Sequence, residues 1–145
     1  MLCDSVCVWA LYFRDSAYRR HVLELRKRYI LLIPEACLIE VAYPIYHAKG
    51  LSELRNYAAF LRHLPLGRNI RVLPLTLETL ARALELITSH PVHFVDEEGN
   101  PNIYDAILAA AWEKTRVPLA TSDSRLIKYG EARKLEFIPL RKARN

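Results

Sequence analysis

The hydrophobic and polar positions of the chain follow two alternating patterns. Short, largely apolar runs recur along it, and such runs are typical of strands buried in a parallel sheet. They occupy residues 1–3, 29–33, 70–75, 117–121 and 136–140. Longer segments with apolar residues at helical spacing lie between them. The alternation predicts a three-layer α/β/α sandwich with a mostly parallel central sheet, formed by residues 1–145 as one domain.

Capping residues predict where several helices begin. Ser16 is expected to cap a helix that reaches about Arg28, and Thr76 one that spans residues 77–87. Residues 103–116 are rich in alanine and leucine and carry one charge in their first ten residues, which indicates a helix buried on most sides.

Prolines and polar clusters predict where other elements end. A helix opens at Pro34, and Pro44 is expected to kink or end it. Residues 90–101 are expected to form a loop, and the basic residues 141–144 a frayed tail.

Composition limits the class of protein more than its function. Hydrophobic residues make up 52% of the chain, as in a globular protein, and acidic residues interrupt every candidate membrane span. The first residues lack the features of a signal peptide, so we expect a cytoplasmic protein with no membrane association. Cys3, Cys7 and Cys37 are expected to be buried free thiols. The net charge of +5 only mildly favours RNA or DNA as a partner over an ordinary solvated surface.

Four carboxylates stand at positions where the apolar pattern does not favour a charge. Asp4 directly follows an apolar strand and Asp123 follows another after Ser122, whereas Glu40 and Asp105 interrupt largely apolar helices. Sites in parallel α/β folds lie beyond the carboxyl ends of the strands. We therefore expect the two aspartates that follow strands to lie at such a site.

Each of the four also has a purely structural interpretation. Asp4 and Asp123 could cap the helices that follow them. Glu40 could be a buried acid paired with an arginine. Asp105 could be a first-turn residue favoured by the helix macrodipole. All four interpretations hold together only if the positions are unrelated in space.

Carboxylates that share a cleft repel one another, so their pKa values rise unless a cation neutralises them. Mg²⁺ is bound in proteins by a few carboxylates together with waters and phosphate oxygens. An ion held in this way activates water for phosphodiester cleavage. The hydroxyls of Ser5 and Thr121 lie beside two of the acids, where they could orient a carboxylate or contact a phosphate.

The order and spacing of these acidic segments resemble those of the PIN-domain family, and within it the VapC-type ribonuclease toxins. The matching pieces are Asp4-Ser5, Glu40 in its apolar helix, residues 105–111 and residues 119–123. Val6 departs from the pattern, because the family often has a small polar residue there.

The resemblance implies an α/β/α sandwich that binds Mg²⁺ or Mn²⁺ and cleaves RNA. It also implies a homodimer and, for a toxin, a small antitoxin protein that blocks the site. Carried over by position, the metal-binding and catalytic residues would be Asp4, Glu40, Asp105 and Asp123, supported by Ser5 and Thr121.

Two other functions remain open from the sequence. One is a non-catalytic PIN-fold module that binds RNA or protein, because a fold does not by itself carry an activity. The other is a Mg²⁺-dependent phosphoacceptor or phosphatase. It is disfavoured because residues 72–75 offer no acceptor aspartate at the end of a middle strand, and Val6 occupies the second position of a D-x-D motif.

Overall fold

The fold is built around one sheet of five parallel strands, and the computed structural model describes residues 1–144. The strands lie in the order β3-β2-β1-β4-β5, and every neighbouring pair is parallel. Their bounds are β1 (Leu2–Cys3), β2 (Leu31–Pro34), β3 (Ile70–Leu73), β4 (Leu119–Thr121) and β5 (Phe137–Pro139). The predicted α/β/α sandwich with a parallel sheet is confirmed. The prediction of a single domain over residues 1–145 stays a prediction.

Eight α-helices flank this sheet within residues 1–144. They are α1 (Ser5–Tyr12), α2 (Arg19–Arg28), α3 (Glu35–Lys49), α4 (Leu51–His63), α5 (Leu77–Ser89), α6 (Pro91–Phe94), α7 (Ile103–Thr115) and α8 (Ser124–Arg133). A short 3-10 turn, Leu64–Leu66, follows α4. Within the same residues no helix combines the length and hydrophobicity that a membrane crossing requires.

The central strands β1 and β4 are short and fully buried, which explains their uninterrupted apolar sequence. Leu2 pairs with Leu119 and Cys3 with Ala120, and all four residues are inaccessible to solvent. The backbone N–H of Asp4 donates to the carbonyl of Ala120 over 3.3 Å. The residues that follow these two strands are therefore held side by side at the carboxyl edge of the sheet.

Helix α7 is fixed against the sheet by its tryptophan. The Trp112 ring is fully buried, and its indole N–H donates to the carbonyl of Glu136 over 3.0 Å. A Cβ atom at Gly130 on α8 would lie 2.2 Å from this ring, so only glycine allows the two helices to approach so closely. The packing holds α7, and the acid at its start, in one position.

The structure corrects two predicted helix boundaries. Pro44 does not end helix α3, which continues to Lys49, because its buried face, including Val41 and Ile45, packs into the core and offsets the hydrogen bond that proline removes. A kink at Pro44 stays a prediction. Ser16 does not cap α2, which begins at Arg19. Its hydroxyl accepts a hydrogen bond from the Tyr18 N–H and so closes a turn before the helix. By contrast, Thr76 caps α5 as predicted, accepting from the Thr79 N–H over 3.1 Å.

The predicted loop and the predicted frayed tail are also more ordered than expected. Residues 90–101 contain the short helix α6 and an antiparallel bridge between Val95 and Pro101. The C-terminal segment docks on the start of α2. The Arg141 N–H donates to His21 Nδ1 over 2.9 Å, and the Ala143 N–H donates to the Ala17 carbonyl over 2.7 Å. These backbone bonds hold residues 141–144 against the protein.

Candidate active site

Asp4 and Asp123 follow neighbouring strands, and each caps the helix that comes next. Asp4 Oδ1 accepts from the Cys7 N–H over 3.1 Å, and its Oδ2 accepts from the Ser122 N–H over 3.4 Å. Asp123 Oδ1 accepts from the N–H groups of Arg125 and Leu126 over 2.7 and 3.0 Å. The capping roles considered from the sequence are therefore real. They also fix both carboxylates at the carboxyl edge of the sheet.

Glu40 and Asp105 reach the same edge from helices α3 and α7, and both are half-buried. Asp105 lies in the first turn of α7, where the helix macrodipole favours a carboxylate. Glu40 is not paired with an arginine: within residues 1–144, no ion pair involves either of these acids or the two caps. The structural interpretation offered for Glu40 is therefore wrong.

The four acids line one pocket of about 420 Å³, which we call the acidic pocket. Its walls comprise Asp4, Ser5, Val6, Glu40, Asp105, Leu108, Ser122, Asp123, Ser124 and Leu126. Thr121 lies beneath it, fully buried, and its hydroxyl accepts from the Asp123 N–H over 3.0 Å. The structure thus brings together every acid that the sequence singled out, with Ser5 in the wall and Thr121 supporting the floor.

Burial raises the pKa values of Asp4, Glu40 and Asp105 in this pocket, and repulsion from the other acids adds to the rise for Glu40 and Asp105. The pKa of Asp105 rises to about 7, chiefly through desolvation and then through the charges of Asp123, Glu40 and Asp4. Desolvation also raises the pKa of Asp4, which is only 3% exposed, although hydrogen bonds from Thr121 and from backbone N–H groups oppose the rise. The pKa of Glu40 is raised by the same cause, against a hydrogen bond from Ser5. The pocket therefore concentrates negative charge that the protein does not neutralise.

Comparison with known families identifies the fold. The profile of the PIN domain matches residues 1–132. The chain belongs to the PIN-domain family. No curated protein sequence matches this PIN domain significantly.

Solved structures share the fold of this PIN domain at low sequence identity. VapC20 from Mycobacterium tuberculosis, a toxin that cleaves the sarcin–ricin loop, is 18% identical with a TM-score of 0.66, over 89% of this chain and 94% of its own. VapBC2 from Rickettsia felis, bound to a DNA fragment from its promoter, is 16% identical with a TM-score of 0.64, over 97% and 98%. A domain of a functionally unknown protein from Methanocaldococcus jannaschii is 20% identical with a TM-score of 0.55, over 99% and 93%. At these identities the likeness shows the fold.

PIN domains generally use a divalent metal ion, and the acidic pocket has the chemistry to bind one. Its donors are hard carboxylate oxygens without a cationic partner. Across residues 1–144, no group of three or more histidine, cysteine, aspartate or glutamate side chains is arranged to hold a metal ion by itself. Mg²⁺ retains several waters and is bound by one or two carboxylates plus phosphate oxygens, so an open acidic pocket suits it.

Sequence reasoning missed two hydroxyl groups at the pocket, those of Ser122 and Ser124. They flank Asp123 in the turn between β4 and α8, where serine is common for conformational reasons alone. The signal that could have found them is their place directly after a buried strand at the carboxyl edge of the sheet.

Proposed function

We propose that this PIN domain is a cytoplasmic Mg²⁺- or Mn²⁺-dependent endoribonuclease and the toxin of a toxin–antitoxin pair. The observation that carries the proposal is the acidic pocket itself. Four carboxylates from β1, α3, α7 and the β4–α8 turn line it, and no lysine or arginine in residues 1–144 pairs with any of them. Retaining uncompensated, partly buried acids costs stability, and such sites are typically functional.

In the proposed enzyme, Asp4, Glu40, Asp105 and Asp123 would hold the metal ion, one or two of them directly and the others through its waters. When bound, a divalent ion polarises the phosphodiester and makes water a stronger nucleophile. The protein's own contribution is to keep these acids in place. Thr121 fixes the turn that carries Asp123 through the bond to its N–H, and the Ser122 N–H fixes Asp4.

The hydroxyls around the acidic pocket have two further roles in the proposal. Ser5 counteracts the rise in the Glu40 pKa and so favours the ionised form that binds a cation. Ser122 and Ser124 present hydroxyls at the pocket wall, where they could donate to the phosphate oxygens of a bound strand. The first role concerns binding of the metal ion, and the second concerns orientation of the substrate.

The partners follow from the resemblance to VapC toxins and are part of the proposal. The Rickettsia felis structure is a VapBC2 assembly on promoter DNA. By analogy we propose that this protein forms a homodimer and binds a cognate antitoxin that covers the acidic pocket. A short DNA-binding protein encoded beside this chain's gene would support that part of the proposal.

Cleavage of RNA in Mg²⁺ or Mn²⁺ tests the catalytic proposal directly. Asp105→Asn should lower the cleavage rate by about two orders of magnitude or more, because it removes a charge that the ion requires, without unfolding the protein. Thermal unfolding in a chelator checks that the variant folds. Unchanged cleavage by Asp105→Asn would contradict the proposal.

Metal binding separates the alternatives. Calorimetric titration with Mn²⁺ should show binding that Asp4→Asn or Asp123→Asn weakens. Binding of RNA without cleavage in any divalent ion would favour the non-catalytic module instead. Stable labelling of an aspartate by a small phosphodonor would favour a phosphoacceptor.

A further inference from the structure

The acidic pocket is one end of a continuous track on the protein surface. It shares Ser5, Val6 and Glu40 with a neighbouring cleft of about 520 Å³, which we call the apolar cleft. The apolar cleft in turn shares Val6 and Trp9 with a third pocket, of about 450 Å³. The three depressions therefore adjoin in the order acidic, apolar and basic.

The apolar cleft is lined by three aromatic rings, two of which are well exposed to solvent. Tyr43 is 71% exposed and Tyr104 is 40% exposed, and Trp9 forms the wall shared with the next pocket. Glu40 is the one charged residue in its lining. Exposed aromatic faces beside an acidic site suit a planar, uncharged ligand such as a nucleobase, which stacks on them.

The third pocket and the surface beyond it are predominantly basic. Lys49 and Lys142 line that pocket, opposite Asp15. Lys142 also borders a further basic depression that includes Arg20, Arg141 and Arg144. The acid in that depression, Glu24, is engaged by Arg20 over 3.4 Å.

The docked C-terminal segment supplies Arg141, Lys142 and Arg144 to this basic surface, beside Lys49 and Arg20 from α3 and α2. Backbone bonds to Ala17 and His21 hold the segment in place, so its side chains take no part in the anchoring hydrogen bonds. The Lys142 ammonium lies 5.8 Å from the centre of the Tyr18 ring, which orients it over the third pocket. The backbone of Arg141 and Lys142 is thereby held in place, and both side chains are exposed at the surface.

We infer that this track binds single-stranded RNA, with its phosphates on the docked C-terminal segment and an unpaired base in the apolar cleft beside the acidic pocket. The inference rests on the proposed function, because it supplies the acidic pocket with its substrate. Charge complementarity favours a polyanion, and the aromatic cleft requires a base that is free of a duplex stack. A protein segment on the same surface is the competing occupant.

Binding of a short unstructured RNA, labelled with a fluorophore and followed by anisotropy in EDTA, tests the basic end without cleavage. The double variant Arg141→Gln, Lys142→Gln should raise the Kd at least about fivefold and reduce the slope of log K against log salt by about 1.4, twice the single-strand value per phosphate. The matched control is Lys27→Gln, Arg28→Gln, which removes the same charge at the end of α2 that leads into β2, away from the carboxyl edge. The control should change Kd by less than about twofold.

The salt series can overturn the inference in two ways. Equal weakening by both double variants would mean that net charge alone attracts RNA. No weakening by either would mean that the C-terminal segment does not contact it. A duplex of the same sequence that binds as tightly as the single strand would also contradict the inference.

The base in the apolar cleft is tested with 2-aminopurine, whose fluorescence is quenched when it stacks. RNA carrying this base should be quenched on binding the wild type, and Tyr43→Ala should abolish the quenching. Tyr29→Ala is the matched control, because Tyr29 is 45% exposed but lies at the opposite edge of the sheet, before β2. Absence of quenching in the wild type, or its persistence in Tyr43→Ala, would overturn this part.

Failure of the track and failure of the nuclease give different results. RNA binding in EDTA that depends on Arg141, Lys142 and Tyr43, without cleavage in Mg²⁺ or Mn²⁺, would leave the track standing and remove the enzyme. If the wild type cleaves RNA, and neither the C-terminal double variant nor Tyr43→Ala alters RNA binding, the nuclease stands and the track is removed.

Discussion

Helix α7 carries two partly buried carboxylates, about two helical turns apart, in opposite electrostatic environments. Asp105 at its start faces three other acids, and its pKa rises to about 7. The Glu113 carboxylate near its end forms ion pairs with Arg82 at 3.2 Å and with Arg133 at 3.1 Å. It also accepts a hydrogen bond from the Tyr129 hydroxyl. These partners lower the pKa of Glu113 despite the desolvation that raises it.

The helix macrodipole favours an anion at the N-terminus and disfavours one at the C-terminus, so alone it would produce the reverse order of pKa values. Burial, together with the neighbouring acids, outweighs the dipole at Asp105, and the bonded arginines and tyrosine outweigh it at Glu113. We call the set Glu113, Arg82, Arg133 and Tyr129 the Glu113 cluster. It joins α5, α7 and α8 and stabilises the fold, whereas no ion pair within residues 1–144 neutralises the acids of the acidic pocket.

The largest difference between the two regions should be in catalysis. Glu40→Gln in the acidic pocket should reduce RNA cleavage in Mg²⁺ by about two orders of magnitude or more, because it removes a proposed ligand. Glu113→Gln makes the same chemical change in the other region and should alter the rate by less than about threefold. Cleavage by both variants is measured below their unfolding temperatures. Equal loss in the two would mean that the pocket is not the catalytic site.

The second difference is whether removing a carboxylate raises or lowers the stability of the metal-free protein. Asp105→Asn should stabilise the protein at pH 8 in EDTA by roughly 2–4 kcal/mol, because it removes a carboxylate whose pKa moves from 3.8 to about 7 on folding. The raised pKa penalises the folded state fully above pH 7 and not at all below about pH 4. The gain should therefore shrink as the pH falls through that window.

Urea unfolding of the wild type and of Asp105→Asn across this pH range measures the effect. Adding Mn²⁺ at pH 8 should then stabilise the wild type more than the variant, since binding to the folded state shifts its stability. A variant that is less stable than the wild type at pH 8 would contradict the proposed repulsion among the acids.

The acids could be found from the sequence because each contradicts its local pattern. A charge in an apolar helix, as at Glu40, or directly after a buried strand, as at Asp4, is visible without a structure. Their convergence could be expected from a general rule of parallel sheets, that the carboxyl ends of neighbouring strands share an edge. The fold followed similarly from the alternation of strands and helices.

Features that depend on contacts between distant segments could not be predicted in this way. The C-terminal segment looks like a frayed basic tail, and it is held by the Ala17 carbonyl and His21, which no local pattern marks. Proline ends an isolated helix, but core packing on either side of Pro44 keeps α3 helical beyond it. The apolar cleft was missed for the same reason: Trp9, Tyr43 and Tyr104 lie on three different helices.

In the Glu113 cluster the stability change should have the opposite sign and be smaller. Glu113→Gln should destabilise the protein at pH 8 by about 1–2 kcal/mol, because two partly exposed ion pairs lose their charge and solvent screens part of the effect. A depressed pKa contributes stability above the unfolded value of 4.5, and this contribution is lost as the pH falls below it. Glu131→Gln on the exposed surface of α8 is the control and should have little effect. A Glu113→Gln variant as stable as the wild type at pH 8 would mean that the cluster does not support the fold.

The smallest expected effect isolates the hydroxyl in that cluster. Tyr129→Phe should destabilise the protein by about 0.5–1.5 kcal/mol, since the buried ring keeps its contacts with Phe94 and only the bond to Glu113 is lost. The double variant with Glu113→Gln should lose less stability than the sum of the two single variants, because the hydroxyl acts through the carboxylate. Additive losses would mean that Tyr129 supports the fold independently, and the contrast with the acidic pocket would then rest on the two arginines alone.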